Sequence, residues 1–220
     1  MTKRVYKYLP AQYALDDLDN RRVKITTLDE LNDPFDLAAI DTTDPLIDHL
    51  HSEHVHRFRK TMALLCFSRN WDNILLWSHY GSSHAGICLG FDIPPDGQYD
   101  MEILYQPGIP AARSSDDMSG ADFANRVLRT KYTIWSYEQE VRMFVGLKDP
   151  PDEKGRYWFG FGENLNLKEV IVGAQCSRDD SRRVMEVRQR YTDAVEFSWA
   201  GLRHDAFALV KKNSPPEWQV

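Results

Sequence analysis

The chain contains few cysteines and no long apolar run. Its 220 residues include three cysteines, Cys66, Cys88 and Cys176, an odd number that does not build a disulfide framework. Apolar runs such as "MALLCF" and "ILLW" fall far short of the ~20 residues that span a bilayer. The basic start, "MTKRVYKYLPAQY", has no apolar stretch behind it. We therefore expect a cytoplasmic protein with no membrane partner.

The usual signatures of nucleotide and metal binding are also missing. No G-x-x-x-x-G-K-[ST] sequence occurs, and "GFGENL" ends in Leu165 where a dinucleotide fingerprint needs glycine. Neither a cysteine pair nor an H-E-x-x-H spacing accompanies the histidines between residues 49 and 56, so we predict a polar helix face and no metal. These histidines are His49, His51, His54 and His56.

What the chain does contain is enough apolar sequence for one core. Hydrophobic residues make up 42%, and a formal charge of −6 argues against broad nucleic-acid binding. We expect a single domain over residues 1–220, a mobile loop at 107–120 and a tail at 213–220. Ser119 with Asp122 resembles a capping box that starts a helix running to about Lys131.

Predicted strands outnumber predicted helices and do not alternate with them. This order favours an α+β fold with a mixed, mainly antiparallel sheet and flanking helices. Asn70 or Asp72 is expected to cap a short helix that stops at Gly81. The longest strand candidate is "YTIWSYEQEVRMFVG", residues 132–146.

Paired acids lie within that strand candidate. In an extended strand Ser136, Glu138, Glu140 and Arg142 would share one face. Carboxylates in an apolar, aromatic strand are costly to bury unless they are paired. Two interpretations stay open here, a catalytic pair of acids and a solvated face on which Arg142 neutralises Glu140.

Two further segments have charged patterns. "LNDPFD" predicts a rigid turn in which Asp33 and Asp36 either orient a basic partner or only form the turn. An arginine-rich helix capped by Ser177 is expected to present a solvated face, with contact to RNA or an acidic protein as the alternative.

The stretch "LLWSHYGSSHAGICLGFD" combines core with a polar corner. Its leucines, Ile87 and Phe91 predict a core helix and a core strand. Around the turn between them, the corner is a functional site if Glu140 faces it, and otherwise a set of polar groups that satisfy one another. The polar corner comprises Trp77, Ser78, His79, Tyr80 and His84.

Several segments together resemble a bacterial family. "YKYLP", "LNDPFD", "LCFSRNWDNILLWSHYGSSHAGICLGFD", "KYTIWSYEQEVR" and "EVIVG" follow one another as in the family called domain of unknown function twenty-nine seventy-one. The resemblance extends from about Tyr6 to Gly173. The family's name implies no activity.

The element order and the late E-x-E motif also resemble ADP-ribosyltransferases, which hold NAD between two small sheets. This resemblance implies Glu140 as the catalytic glutamate, with Glu138 two residues ahead, and Thr26 and Thr27 loosely matching the Ser-Thr-Ser of the second strand. A carboxylate beside the ribose stabilises the oxocarbenium-like transition state. The residues it implies for NAD contact are Tyr8, Thr27, Asn32, Ser68, Trp77, His79, Tyr80 and Arg142.

The function expected from this resemblance is that of an NAD-using ADP-ribosyltransferase or NAD glycohydrolase, of the kind found among bacterial toxins and phage-defence effectors. NAD would be its substrate, and a protein or nucleic acid its acceptor. Two alternatives remain. One is a non-catalytic ligand-binding or regulatory domain, and the other is a metal-dependent nuclease or hydrolase built from His79, His84, Asp92 and Glu140.

Overall fold

The computed structural model describes residues 2–38, 40–96, 99–111, 120–147, 149–192 and 194–216. Within these ranges the chain forms helices, a large mixed and mostly antiparallel sheet, and a small two-stranded sheet. The predicted α+β class is thereby confirmed. Three predictions fall partly or wholly outside the described residues: most of the loop at 107–120, the helix cap Ser119, and the end of the tail at 213–220. None of the helices in the described ranges is long and apolar enough to cross a membrane.

The elements follow one another in a mixed order. The helices are α1 (Ala11–Asn20), α2 (Pro45–Thr61), α3 (Ile74–His79), α4 (Gly120–Arg129) and α5 (Arg178–Arg188), and 3-10 helices span Leu28–Glu30 and Thr133–Glu138. The strands are β1 (Lys3–Leu9), β2 (Arg22–Thr27), β3 (Met62–Ser68), β4 (Ile87–Ile93), β5 (Met101–Glu102), β6 (Leu104–Gln106), β7 (Thr130–Tyr132), β8 (Glu140–Gly146), β9 (Tyr157–Gly160), β10 (Asn166–Val172), β11 (Glu196–Leu202) and β12 (Leu209–Lys212).

The chain divides into two compact units. Unit 1 comprises Met1–Lys24, Phe67–Asp96 and Trp158–Val220. Its strands run in the order β12-β11-β10-β4-β1, with β10 and β11 parallel and the other neighbours antiparallel. β4 is buried along almost its whole length, as its continuous apolar sequence leads one to expect.

Unit 2 comprises Ile25–Cys66 and Gly97–Tyr157. Here β8 pairs with β3 and β5, while β6 and β7 form the small parallel sheet. Side chains from α2, α4 and β8 supply an apolar core. The buried members of this core are Leu28, Leu37, Ile40, Ile47, Val55, Leu64, Phe123, Val127, Leu128 and Phe144.

Candidate functional site

The candidate residues fall into two sets, one in each unit. Unit 1 contains Tyr8, Ser68, Trp77, His79 and Tyr80, and unit 2 contains Thr27, Asn32, Glu138, Glu140 and Arg142.

The aromatic corner of unit 1 is closely packed. The rings of Tyr8 and Trp77 form a T-shaped pair, with 5.2 Å between centroids and 89° between the planes. The Tyr8 hydroxyl donates to the carbonyl of Asn70 at 2.7 Å, and Trp77 Nε1 donates to the carbonyl of Trp71 at 2.7 Å. Burial raises the pKa of Tyr8, so its hydroxyl is neutral. Trp77 is 0% exposed, so a ligand would contact its ring only after the surrounding chain moved.

The short helix α3 is capped by Asn73, one residue after Asp72, the later of the two predicted caps. The side chain of Asn73, rather than that of Asn70 or Asp72, accepts from the backbone N–H groups of Leu75 and Leu76, at 2.9 and 3.3 Å. Sequence alone does not choose among Asn70, Asp72 and Asn73, because Asn and Asp are both good N-caps. His79 and Ser78 are exposed at the other end, and Tyr80 is half-buried.

The turn after α3 has an unusual backbone. Ser82, Ser83 and His84 have φ of 48°, 54° and 69°, a left-handed region that residues other than glycine enter rarely. His84 N–H donates to the Trp77 carbonyl at 3.1 Å, and Gln175 N–H donates to the His84 carbonyl at 2.9 Å. The imidazole of His84 stacks beside Trp77, 6.4 Å between centroids, and burial lowers its pKa. These contacts fit a turn held by packing.

Charged groups of unit 1 form a partly exposed cluster of Arg4, Asp92, Glu169 and Lys211. Arg4 Nε lies 2.6 Å from Asp92 Oδ1, and its Nη1 pairs with Glu169 Oε1. Lys211 Nζ lies 2.6 Å from Glu169 Oε2. Within the described part of the chain, these four side chains are two cations and two carboxylates. Asp92 is thus a member of an ion pair. Ser68, another residue predicted to contact NAD, accepts a hydrogen bond through its hydroxyl oxygen from the backbone N–H of Asn70 at 3.1 Å.

In unit 2 the predicted strand over residues 132–146 is wrong in its first half. A 3-10 helix spans Thr133–Glu138, Gln139 is left-handed with φ 42°, and β8 begins only at Glu140. The aromatic and β-branched residues suggested a strand, but the surrounding structure overrides this local preference. Glu138 and Ser136 therefore do not lie on one strand face with Glu140.

The two glutamates nevertheless meet at one lysine, in the buried cluster of Asp36, Lys131, Glu138, Glu140 and Arg142. Lys131 Nζ lies 2.7 Å from Glu138 Oε2 and 3.1 Å from Glu140 Oε2. Arg142 donates from Nε to Glu140 Oε1 at 2.7 Å and from Nη2 to Glu140 Oε2 at 3.1 Å. Both Glu140 oxygens are therefore occupied, and the predicted Arg142–Glu140 pair exists on a face that is buried rather than solvated.

Opposing effects act on the ionisation of this cluster. Burial acts to raise the pKa of Glu140, but Arg142 and Lys131 outweigh it and lower that pKa to about 2. Burial likewise acts to lower the pKa of Lys131, but Glu140 and Glu138 outweigh it and raise that pKa. Glu140 and Lys131 are consequently charged at neutral pH.

The "LNDPFD" turn supplies the fifth member of the cluster. Asp36 Oδ1 accepts from Arg142 Nη2 at 2.7 Å, which is the basic partner that the turn sequence allowed. Asp33 Oδ1 accepts the backbone N–H of Phe35 at 2.9 Å, and Asp36 N–H donates to the Asp33 carbonyl at 3.0 Å. Within the described residues, Asp33 Oδ2 and Asp36 Oδ2 are buried without a hydrogen-bond partner.

The remaining predicted residues of unit 2, Thr27 and Asn32, lie before and within the "LNDPFD" turn. Thr27 forms a capping box with Glu30, whose Oε2 accepts from the Thr27 backbone at 3.0 Å and from its hydroxyl at 3.2 Å. Asn32 is exposed. These contacts show that Thr27 caps the start of a 3-10 helix. The expectation that Thr27 contacts NAD stays a prediction.

A pocket of about 240 Å³ opens in unit 2, with mainly apolar walls. Sequence reasoning did not find it, because its walls come from three separate segments and none has a motif. Lys131 was also missed, although a lone lysine among "TKYTIWSY" was a signal that it needs buried acids nearby. The lining residues are Phe35, Ala38, Gln106, Gly108, Ile109, Thr130, Lys131 and Tyr132.

The histidine cluster forms part of α2. His51 Nε2 and His54 Nδ1 lie 2.8 and 2.7 Å from the carbonyls of Leu37 and Leu50, and both rings pack on Phe123. Over the described ranges, no group of three or more His, Cys, Asp or Glu side chains is arranged to hold a metal ion. For His51 and His54, these contacts indicate packing and backbone bonding.

No family model, curated protein or solved structure matches the chain. The fold class therefore rests on the observed strands and helices. The two family resemblances, and the NAD chemistry that the second of them implies, stay predictions.

Proposed function

We propose that this protein is a non-catalytic ligand-binding protein whose unit 2 takes a small molecule, or one end of a larger one, about the size of a single ring. The observation that carries the proposal is the pocket of about 240 Å³ lined by Phe35, Ile109, Tyr132 and Lys131 among others. Small-molecule sites are concave and mostly apolar, with a few polar groups that fix orientation. This pocket has that composition.

Its size defines the class of ligand. Apolar cavities of about 150 Å³ bind benzene, so a pocket of about 240 Å³ accommodates one substituted ring. A complete dinucleotide is several times larger. The ligand is therefore a single-ring compound or a larger molecule that inserts one ring.

Exposed apolar side chains around the pocket support binding. Phe35 is 62% exposed, Ile109 51% and Tyr132 48%, and all three line the pocket. Removing such surface from water contributes about 25 cal/mol per Å². Apolar side chains grouped at a concavity mark an interaction site more often than scattered ones do.

The neighbouring buried cluster explains why binding without catalysis is favoured. A catalytic carboxylate must touch the reacting atoms, whereas Glu140 has both oxygens bonded to Arg142 and Lys131. Its backbone N–H also donates to the Tyr105 hydroxyl at 2.8 Å. Glu140 is thus held in a buried ion-pair cluster that shares Lys131 with the pocket lining.

Binding can be tested with benzyl alcohol as a neutral single-ring probe of the full chain. Ligand-observed NMR should detect binding to the wild type, and Ala38→Trp, which places an indole at the pocket wall, should weaken it by at least about tenfold. Ser52→Trp on the exposed face of α2 adds the same side chain elsewhere and should leave binding unchanged. Equal binding by wild type and Ala38→Trp, or none by either, would overturn the proposal.

We propose NAD use, by ADP-ribosyl transfer or hydrolysis, as a second candidate function. One observation favours it: Glu138 and Glu140 converge on Lys131, and Lys131 lines the pocket. A nicotinamide ring matches the pocket in size, and a carboxylate close to the ribose would stabilise the oxocarbenium-like transition state. One of the two carboxylates would then have to leave Lys131.

An NAD consumption assay separates the two candidates. The ligand-binding proposal expects no NAD consumption by the wild type beyond that of Glu140→Gln. The second candidate expects turnover by the wild type that Glu140→Gln abolishes while the variant remains folded. Equal, low rates for both folded proteins would remove the second candidate.

A further inference from the structure

We propose that the ligand of the unit 2 pocket is a neutral cyclic amide, a ring in which an N–H group and a carbonyl are neighbours, as in a pyridone. This inference rests on the proposed ligand-binding function and names the chemical class of the ligand. It depends on two neutral polar side chains of the pocket lining, Gln106 and Thr130.

The register of the small sheet decides which side chains face the pocket. β6 and β7 run parallel, and Gln106 lies opposite Tyr132. Because side chains alternate along a strand, Thr130 and Tyr132 share one face of β7, and Gln106 belongs to the same face of the sheet. All three residues line the pocket. This face of the small sheet therefore forms one wall of the pocket.

The other face of the small sheet meets the buried cluster. Tyr105 lies opposite Lys131, and its hydroxyl accepts from the backbone N–H of Glu140 at 2.8 Å. Lys131 Nζ lies 2.7 Å from Glu138 Oε2 and 3.1 Å from Glu140 Oε2. Among the described residues, Lys131 is the one charged residue of the pocket lining, and two carboxylates bind its ammonium group. A neutral ligand therefore fits this pocket better than an ion does.

Gln106 and Thr130 have hydrogen-bonding groups that the protein leaves unused. Neither the Gln106 amide nor the Thr130 hydroxyl forms a hydrogen bond within the part of the chain that the structure describes. Thr130 is 9% exposed, and Gln106 is half-buried. Leaving a buried polar group without a partner is costly, so a ligand that supplies the missing partners is stabilised by them.

A cyclic amide is complementary to these two side chains. The Gln106 amide has a donor and an acceptor side by side, and the carbonyl and N–H of a cyclic amide can bond to both at once. Diagonal neighbours on one face of a strand pair lie about 7–8 Å apart, which leaves room for the ligand carbonyl to accept from the Thr130 hydroxyl as well. These bonds would fix the orientation of the ring between the apolar walls.

Two isomeric probes test the inference on the full chain. In 5-methyl-2-pyridone the N–H remains beside the carbonyl, whereas in 1-methyl-2-pyridone a methyl group replaces that hydrogen. Both probes are neutral and have the same composition. Ligand-observed NMR should show that the wild type binds the 5-methyl isomer at least about fivefold more tightly, because a site that hydrogen-bonds an N–H group rejects the analogue without it. Equal affinities for the two isomers would overturn the inference.

Three variants locate the source of this preference. Gln106→Met replaces the amide by an apolar chain of similar length and should bring the two affinities to within about twofold of each other. Gln12→Met makes the same replacement on the exposed face of α1 and should keep the preference. Thr130→Val removes a hydroxyl that both isomers can use, so it should weaken both by about two- to fivefold and leave their ratio unchanged.

The results with the variants can contradict the inference independently. A preference that survives in Gln106→Met, or one that is lost in Gln12→Met as well, would show that Gln106 does not recognise the N–H group. Unchanged binding of both isomers by Thr130→Val would contradict the bond to the ligand carbonyl. The wild-type ranking needs no variant, so it tests the inference even if Gln106→Met does not fold.

Benzyl alcohol separates this inference from the proposed function. If benzyl alcohol binds and Ala38→Trp blocks it, while the wild type does not distinguish the two pyridones, the pocket stands and the amide class is wrong. If neither benzyl alcohol nor the pyridones bind, or Ala38→Trp binds them all as the wild type does, the proposed function itself fails.

Discussion

Each unit contains a cluster of ion-paired side chains, and the two clusters differ in how far they are exposed to water. The partly exposed cluster of unit 1 pairs two cations with two carboxylates whose side chains are 12–32% exposed. Among the residues that the structure describes, the buried cluster of unit 2 joins Lys131 and Arg142 to Asp36, Glu138 and Glu140, with side chains 0–7% exposed. Burial makes each partner indispensable, because a charge left alone there has neither water nor a counter-charge. Unit 1 should therefore tolerate the loss of one charge, and unit 2 should not.

Removing an arginine from each cluster tests this comparison with the largest expected effect. Arg142→Met leaves Glu140 and Asp36 without their main partner and should cost about 3–5 kcal/mol of unfolding free energy. Arg4→Met in unit 1 should cost about 0–1 kcal/mol, because water and Lys211 remain near the acids. Urea unfolding measures both. Equal losses would mean that burial does not distinguish the clusters.

Unit 1 should instead depend on close backbone packing. A Cβ on Gly173 would lie 2.2 Å from the His84 carbonyl oxygen and 2.7 Å from that of Gly86, so backbone must shift. Gly173→Ala should cost about 2–3 kcal/mol in thermal or urea unfolding. Gly160→Ala is the matched control, since its Cβ would meet nothing within 4 Å. Similar stabilities for the two variants would contradict this account of the turn.

The two units should also differ in how a buried carboxylate makes the stability depend on pH, and this effect is smaller. Burial raises the pKa of Asp17 in unit 1 to about 7, with Lys7 and Arg22 lowering it only in part. The folded state therefore binds more protons than the unfolded state between about pH 4 and 7, and stability falls as pH rises through this window. Asp17→Asn should gain about 1–2 kcal/mol relative to the wild type at pH 8 compared with pH 4.

The control for this pH dependence is Asp16→Asn, an exposed neighbour on α1. Its stability relative to the wild type should not change between the two pH values. If Asp17→Asn follows the same pH dependence as the wild type, Asp17 does not titrate as described.

The contribution of Glu140 to stability depends on pH with the opposite sign. Its pKa is lowered to about 2, so the stabilisation that it provides is present above about pH 4.5 and is lost as the pH falls through about 2.

Local features of the fold were predictable, and distant contacts were not. The continuous apolar sequence of β4 and the Ser177 cap of α5 follow from nearest neighbours in sequence. The end of the 3-10 helix at Gln139 does not follow from neighbouring residues, because the residues before it favour a strand. Asp36 and Arg142 are 106 residues apart, so the turn sequence indicated a basic partner but not which one.

The same limit applies to the candidate site. Glu138, Glu140 and Arg142 stood out because charges in an apolar segment need partners. Lys131, which joins the two glutamates, and the pocket walls around Phe35 and Tyr132 depend on how separate segments pack. A single sequence does not specify that packing.

The Glu140 carboxylate joins Arg142 and Lys131 in unit 2, and we expect these bonds to stabilise the folded state. The most direct test is the free energy of unfolding of Glu140→Gln, measured in urea at pH 7 beside the exposed control Glu53→Gln. Because Glu140 accepts from both Arg142 and Lys131, we predict a loss of about 2–4 kcal/mol for Glu140→Gln and less than about 0.5 kcal/mol for the control. A Glu140→Gln protein as stable as the wild type would mean that these bonds do not stabilise unit 2.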